Sequence, residues 1–302
     1  MSPGYQRLSE EAWSERLAFL ESIFSPCGHC PRQCRALRAE GRPGVCQADG
    51  RVKIASFNLH HGEEPPISGW SGSGTIFFSG CTMKCLFCQN YPISHLANGE
   101  YYSVEELAGI HLYLQKRGAH NINWVSPTPY LFPAVQAVRI AAAKGLRIPI
   151  VYNTSGYERS DVIRALAGIV DIYMPDLKYV DPELSFRLSG VRDYFQHAFP
   201  ALREMVGQTG PLKEDANGVA LSGTLIRHLI IPGEVANSKA VLDAIHGSEL
   251  RGAYMSLMSQ YFPAYKAVEH PQLRRRLAVE EYREVKDYAL ALGIENGWFQ
   301  DI

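Results

Sequence analysis

Between residues 74 and 258, short apolar runs alternate with longer segments of helical periodicity, and this rhythm limits the fold more than any other feature of the 302-residue chain. The apolar runs GTIFFS (74–79), NINWVS (121–126), IPIVYN (148–153), DIYMPD (171–176), TLIRHLII (224–231) and GAYMSLM (252–258) read as strands. Helical patterns occupy 104–118, 133–145, 238–247 and 279–293. Strands joined by helical crossovers run parallel. Six such units fall short of the eight that close a barrel, so the expected fold is α/β, a partial (β/α)6 TIM-like barrel. The stretch 207–223 breaks the rhythm and reads as an insertion. Residues 5–25 read as one amphipathic helix and 26–73 as loop-rich, which divides the chain into a small N-terminal extension, 1–70, and a barrel, 71–302.

Seven cysteines, Cys27, Cys30, Cys34, Cys46, Cys81, Cys85 and Cys88, all fall in the first third of the chain. The remaining composition is that of an ordinary soluble chain, 46% apolar and 20% charged. A net charge of −1 with dispersed lysines and arginines argues against an electrostatic nucleic-acid binder. The polar, acidic start is no secretory signal, and the uncharged run 65–83 is broken by Pro and Gly, so no membrane helix is expected. The expected location is the cytoplasm, where an odd number of closely spaced cysteines favours metal binding over disulfides.

The cysteines divide into a four and a three. Cys81-x3-Cys85-x2-Cys88 directly follows the first strand, at the end where barrel active sites assemble. A zinc knuckle completed by a distant ligand is one reading, but structural zinc favours paired C-x2-C elements and four ligands. An iron–sulfur cube ordinarily takes four thiolates. Three leave one iron open, as a catalytic metal requires.

CTMKCLFC, with the aromatic Phe87 before its last cysteine, resembles the motif of radical S-adenosylmethionine (SAM) enzymes. The resemblance implies a 4Fe-4S cluster on Cys81, Cys85 and Cys88 whose open iron binds the methionine end of SAM. One electron then cleaves the sulfonium, and the resulting 5′-deoxyadenosyl radical abstracts hydrogen from a substrate. Residues 71–260 are similar in particular to pyruvate formate-lyase activating enzymes. That similarity implies a SAM contact at Asn90 in CLFCQN and others at Asn153, Thr154 and Ser155 in VYNTSGY. It places Asp176 and Lys178 of YMPDLK around the cofactor's carboxylate and a nearby monovalent cation, and adds Arg227 and His228 of RHLIIPG. HHGEEPPISG, the N-terminal cysteines and GIENGWFQ resemble a branch related to these activators.

The residue chemistry supports this placement. Each motif stands where an expected strand ends, and Asp176 and Lys178, two apart, face the same side. Spacing alone also permits a surface ion pair there. Many relatives carry a glycine-rich GGEP after the second strand, where this chain has WVSPTPY, residues 124–130. Ser126 and Thr128 keep hydroxyls for an amine, but no carboxylate is present.

Cys27-x2-Cys30-x3-Cys34-x11-Cys46 supplies four thiolates, enough for tetrahedral zinc stapling a loop-rich segment or for an auxiliary iron–sulfur cluster. His29, His60 and His61 are given no ligand role. Two function classes follow. One is a radical enzyme acting on a protein or peptide, foremost a glycyl radical enzyme, or on a small metabolite, with a flavodoxin or ferredoxin-type reductant. The other is a non-catalytic iron–sulfur electron carrier, which would need neither Asn90 nor the strand-end residues.

Overall fold

The computed structural model describes residues 2–301. Among the described residues the strands are β1 (Val52–His60), β2 (Ser73–Phe78), β3 (Glu100–Tyr102), β4 (Ile122–Val125), β5 (Ile150–Thr154), β6 (Ile172–Pro175), β7 (Lys213–Glu214), β8 (Ala220–Leu229), β9 (Tyr254–Met258) and β10 (Gly297–Phe299). They form one sheet in the order β10-β9-β8-β6-β5-β4-β2-β1-β3, with β7 paired to β8. The six strands expected from the apolar runs are β2, β4, β5, β6, β8 and β9, and all pair in parallel. A further parallel strand, β10, extends one edge. The sheet does not close, so the fold is a partial barrel of the TIM type.

Four helices stand where their periodicity predicts them, at Val104–Lys116, Leu131–Ala143, Val235–His246 and Val279–Ala291. The first has a capping box: Ser103 Oγ accepts from the Glu106 N–H, and Glu106 returns a carboxylate to the Ser103 N–H. Outward residues of the strands, including Ile76, Trp124, Tyr152 and Tyr173, pack against apolar faces of these helices. The concave side holds Val151, Ile172, Met174 and Leu225, closed by Ile67 from the short helix Pro65–Ser68. The Ile67 carbonyl accepts from Asn121 Nδ2 at 2.8 Å. The chain therefore fills the inside of its own open barrel.

Several segments depart from the sequence reading. Residues 52–60, expected in a loop, form β1, antiparallel to β2. Its pattern IASFNLHH carries too many polar residues for a buried strand, because β1 is half-exposed along the sheet. The helix expected over 5–25 is interrupted: Gly4–Arg7 is a 3-10 turn, and Ser9 caps a separate helix, Glu10–Ser22. Helices Pro182–Ser189 and Tyr194–Thr209 occupy a region to which no element was assigned, and the expected insertion at 207–223 is the end of the second helix followed by the β7–β8 hairpin. Pro200 inside that helix and the glycines around it obscure its period.

Candidate active site

The cysteine loop leaves β2 through Gly80, whose φ of +85° suits glycine and where a Cβ would strike the Cys46 carbonyl oxygen. Contacts on both sides brace the loop. The Leu86 N–H donates to the Leu188 carbonyl at 2.9 Å, and the Ala267 N–H donates to the Leu86 carbonyl at 3.1 Å. Each of its thiols has a polar neighbour. The Met83 N–H donates to Cys81 Sγ at 3.4 Å, Ser189 Oγ donates to Cys85 Sγ at 3.0 Å, and Ser94 Oγ lies 3.1 Å from Cys88 Sγ. Burial pushes the Cys85 thiol up to about 12, and the Lys178 ammonium opposes that rise. Burial also raises Cys88. An iron that replaces the thiol proton would remove this penalty, and hydrogen bonds to sulfur are a standard means of tuning such clusters.

Among the described residues no three His, Cys, Asp or Glu side chains close on a single point as one metal ion requires. A cube binds each thiolate through a different iron, so three hydrogen-bonded cysteines on one loop, Cys85 buried and Cys81 and Cys88 half-buried, fit it without that convergence.

The strand-end residues divide between two surfaces. Ser126, Thr128, Thr154 and Ser155 line a narrow cleft with Cys81 and Thr82. Ser126 stands at φ +56°, a left-handed conformation uncommon for a non-glycine residue. Its N–H donates to the Asn153 carbonyl at 2.9 Å. Behind the cleft, Glu158 is fully buried and accepts from Thr128 Oγ1 at 2.6 Å and from Thr154 Oγ1. Burial raises its carboxyl to about 7, although both threonine hydrogen bonds oppose this.

Asn153, Asp176, Lys178 and Arg227 face the concave side instead. Arg227 donates from Nε to Asp176 Oδ1 at 2.9 Å and from Nη2 to Asn153 Oδ1 at 2.7 Å. Lys178 Nζ lies 2.5 Å from the other Asp176 oxygen. Burial works against the Asp176 charge, but Arg227 and Lys178 outweigh it and hold the carboxyl below its ordinary range. Both Asp176 oxygens thus already face side-chain cations. Glu63 and Glu64 complete the group, at 3.5 and 3.8 Å from Arg227 Nη1, and Ser256 Oγ donates to Glu64 at 3.1 Å. Burial raises Glu63 to about 7, with Arg227 opposing it.

Two of the expected site residues lie outside both groups. His228, next to Arg227, points to the other face of β8, where its ring nitrogens meet the Leu177 carbonyl at 2.7 Å and Ser238 Oγ at 2.9 Å. Burial lowers it to about 4, and it packs between strand and helix. Asn90 is exposed at the end of the cysteine loop, where its carbonyl accepts from the Ile93 and Ser94 N–H groups. Glu63, Glu64 and Glu158 were missed by the sequence reading. The paired glutamates before Pro-Pro and the glutamate four residues beyond Thr154 were the available signals.

The N-terminal cysteines abut the same loop. Cys27, Cys30 and Cys46 are buried, Cys34 is half-buried, and all seven cysteines of the chain are free thiols. Burial pushes Cys30 up to about 12. Buried Arg38 donates to Cys46 Sγ at 3.2 Å and also to the Pro129 carbonyl beside the cleft. Arg32 donates to the Thr82 carbonyl at 2.5 Å. The extension is thus fastened to both walls of the cleft.

The profile of the Radical SAM superfamily matches residues 75–213, which contain the cysteine loop and β4 to β6. Two proteins of Methanocaldococcus jannaschii are similar over most of the chain. Uncharacterized protein MJ0674 is 30% identical over 284 residues, 91% of this chain and 77% of that one. Uncharacterized protein MJ0808 is 25% identical over 281 residues, 84% and 78%. Among solved structures, Streptococcus suis SuiB bound to the precursor peptide SuiA has a TM-score of 0.49 at 17% identity, covering 73% of this chain and 46% of SuiB. A spore photoproduct lyase mutant with bound AdoMet and dinucleoside spore photoproduct has a TM-score of 0.46 at 10% identity, covering 74% of each chain. The chain therefore spans just under half the length of SuiB. The chain belongs to the radical SAM superfamily and is an enzyme of that class, for which a 4Fe-4S cluster and SAM are implied. Among the described residues no helix is long and apolar enough to cross a membrane.

Proposed function

We propose that this enzyme abstracts hydrogen from a protein or peptide, with a glycyl radical enzyme as the foremost substrate, in the manner of the activating enzymes its motifs resemble. When bound, the cluster and SAM supply the 5′-deoxyadenosyl radical. The chain's residues do the rest. Cys81, Cys85 and Cys88 hold the cluster, the hydroxyl-lined cleft beside Cys81 takes the methionine end of SAM, and the Asp176–Arg227 network fixes the strand ends beneath it.

One observation carries the choice of a large substrate. A groove of about 660 Å³ opens beyond the ends of β9 and β10, lined by Gln260, Tyr261, Leu277, Val279 and Trp298 among others. Gln89 of the cysteine loop donates to the Gln260 carbonyl at 3.0 Å, so the groove adjoins the loop. The concave interior is filled by Ile67 and the two glutamates, so substrate approaches over the rim, where an extended peptide fits. The four N-terminal cysteines are the place for a second metal, zinc or an auxiliary cluster; they do not converge on one point as a single zinc ion requires, and metal analysis distinguishes the two. A flavodoxin or ferredoxin-type protein supplies the electron.

Anaerobically reduced enzyme, mixed with SAM and a glycyl radical enzyme, should give a glycine-centred doublet by electron paramagnetic resonance. Deoxyadenosine formation stimulated only by a small metabolite would overturn the protein substrate and leave the radical chemistry standing. A reduced cluster that binds SAM and never cleaves it would point to an electron carrier.

A further inference from the structure

The loop that follows β4 carries no carboxylate, yet the structure brings one to it. Glu158, from the loop after β5, is fully buried behind Thr128 and Thr154. One of its oxygens, Oε1, takes the hydroxyl hydrogens of both threonines, while Oε2 is buried without a hydrogen-bond partner. A threonine hydroxyl has a single hydrogen. Once it is given to Glu158, the oxygen can offer the cleft nothing but lone pairs. Thr154 Oγ1 spends one of its two on the Gly156 N–H at 3.3 Å, and Thr128 Oγ1 lies 3.4 Å from the Tyr152 hydroxyl. Each threonine oxygen therefore keeps acceptor capacity, and both residues line the cleft with Cys81.

We propose that Glu158 is a positioning residue that makes this cleft an acceptor-only site for a primary ammonium group, the amino group at the methionine end of SAM. The inference rests on the reading that SAM binds beside Cys81. An ammonium has three donors and no acceptor, which matches the two threonine oxygens. A hydroxyl free to rotate could turn its hydrogen toward the cleft and oppose the cation. Glu158 prevents that rotation.

The test compares SAM with an analogue whose α-amino group is replaced by hydrogen, each titrated calorimetrically into the cluster-loaded enzyme. The wild type should prefer SAM by about tenfold or more, the value of one charge-assisted hydrogen bond. Glu158→Leu should abolish that preference, and so should Thr128→Val combined with Thr154→Val. The triple variant should lose no more than either, because the three residues act as one unit. Glu158→Gln should retain the preference, since its amide oxygen accepts from both hydroxyls. Iron content and melting temperature report any structural loss separately. If Glu158→Leu does not fold, the threonine variants carry the comparison.

Wild-type selectivity in either the leucine or the double threonine variant overturns the assignment of Glu158. A wild type that binds SAM without preferring it to the analogue overturns this inference alone. A wild type that binds neither overturns the reading of the cleft, and this inference with it.

Discussion

Asn153 and Thr154 are adjacent on β5, and their side chains enter two different polar groups. On the concave side, Asn153 joins Arg227, Asp176, Lys178, Glu63 and Glu64, where nearly every polar atom faces a partner of this chain. On the outer side, Thr154 joins Thr128 and Glu158, a smaller group in which two hydroxyls share one carboxylate oxygen and keep acceptor capacity; each group also holds one carboxylate oxygen without a hydrogen-bond partner, Glu64 Oε2 and Glu158 Oε2. Alternation along a strand makes this division. Residues that resemble one binding motif in the sequence thus serve two ends. The closed network ties the strand ends together through ion pairs, and the open one is the group proposed to bind.

The largest effect should come from the cysteines beside the open group. Replacing Cys81, Cys85 or Cys88 with alanine should abolish deoxyadenosine formation from SAM, read by chromatography, while far-ultraviolet circular dichroism keeps its native shape. Next is the closed network. Arg227→Leu leaves three carboxylates without their shared cation, and breaking such a buried pair costs about 3–5 kcal/mol, measurable by urea unfolding. Thr128→Val removes one neutral hydrogen bond and should cost about 1 kcal/mol. Equal losses from these two substitutions would erase the distinction between the groups.

The smallest effect is on pH dependence. Burial raises Glu158 from 4.5 to about 7, so within that window the folded protein keeps a proton that the unfolded chain has lost. Its contribution is full below the lower value and is lost as pH rises through the upper one, by up to on the order of 3 kcal/mol. Glu158→Gln should flatten the decline of unfolding free energy between pH 5 and 7, roughly the interval over which a raised carboxyl titrates. Some slope should remain, because burial also raises Glu63 to about 7 and Asp171 to about 6. An unchanged slope would mean that Glu158 is ionised throughout.

The sheet was legible because its strands are buried on both faces and therefore read as continuous apolar runs; Ile150–Thr154 is buried along its whole length. The cysteine trio and the strand-end motifs were legible because they are contiguous in sequence. Three things were not. Which face of a strand a polar residue takes depends on register, which is why Asn153 and Thr154 looked alike. His228 could not be separated from Arg227 for the same reason. Glu63 and Glu64 reach Arg227 across a separation that no local pattern encodes, from a segment whose Pro and Gly content resembles an ordinary loop, and Glu158 reaches Thr128 across the chain although its other partner, Thr154, is near in sequence.

The short helix Pro65–Ser68 bears on how far this protein is modular. Composition suggests a boundary near residue 70, yet Ile67, Glu63 and Glu64 lie just before it and inside the barrel. A fragment begun at residue 71 would lose the strand along β2, the apolar stopper of the concavity and two of the three carboxylates around Arg227. It would be a vessel without its floor. In this chain residues 52–70 therefore belong with the barrel, and any recombination between the N-terminal extension and the barrel would have to carry them along.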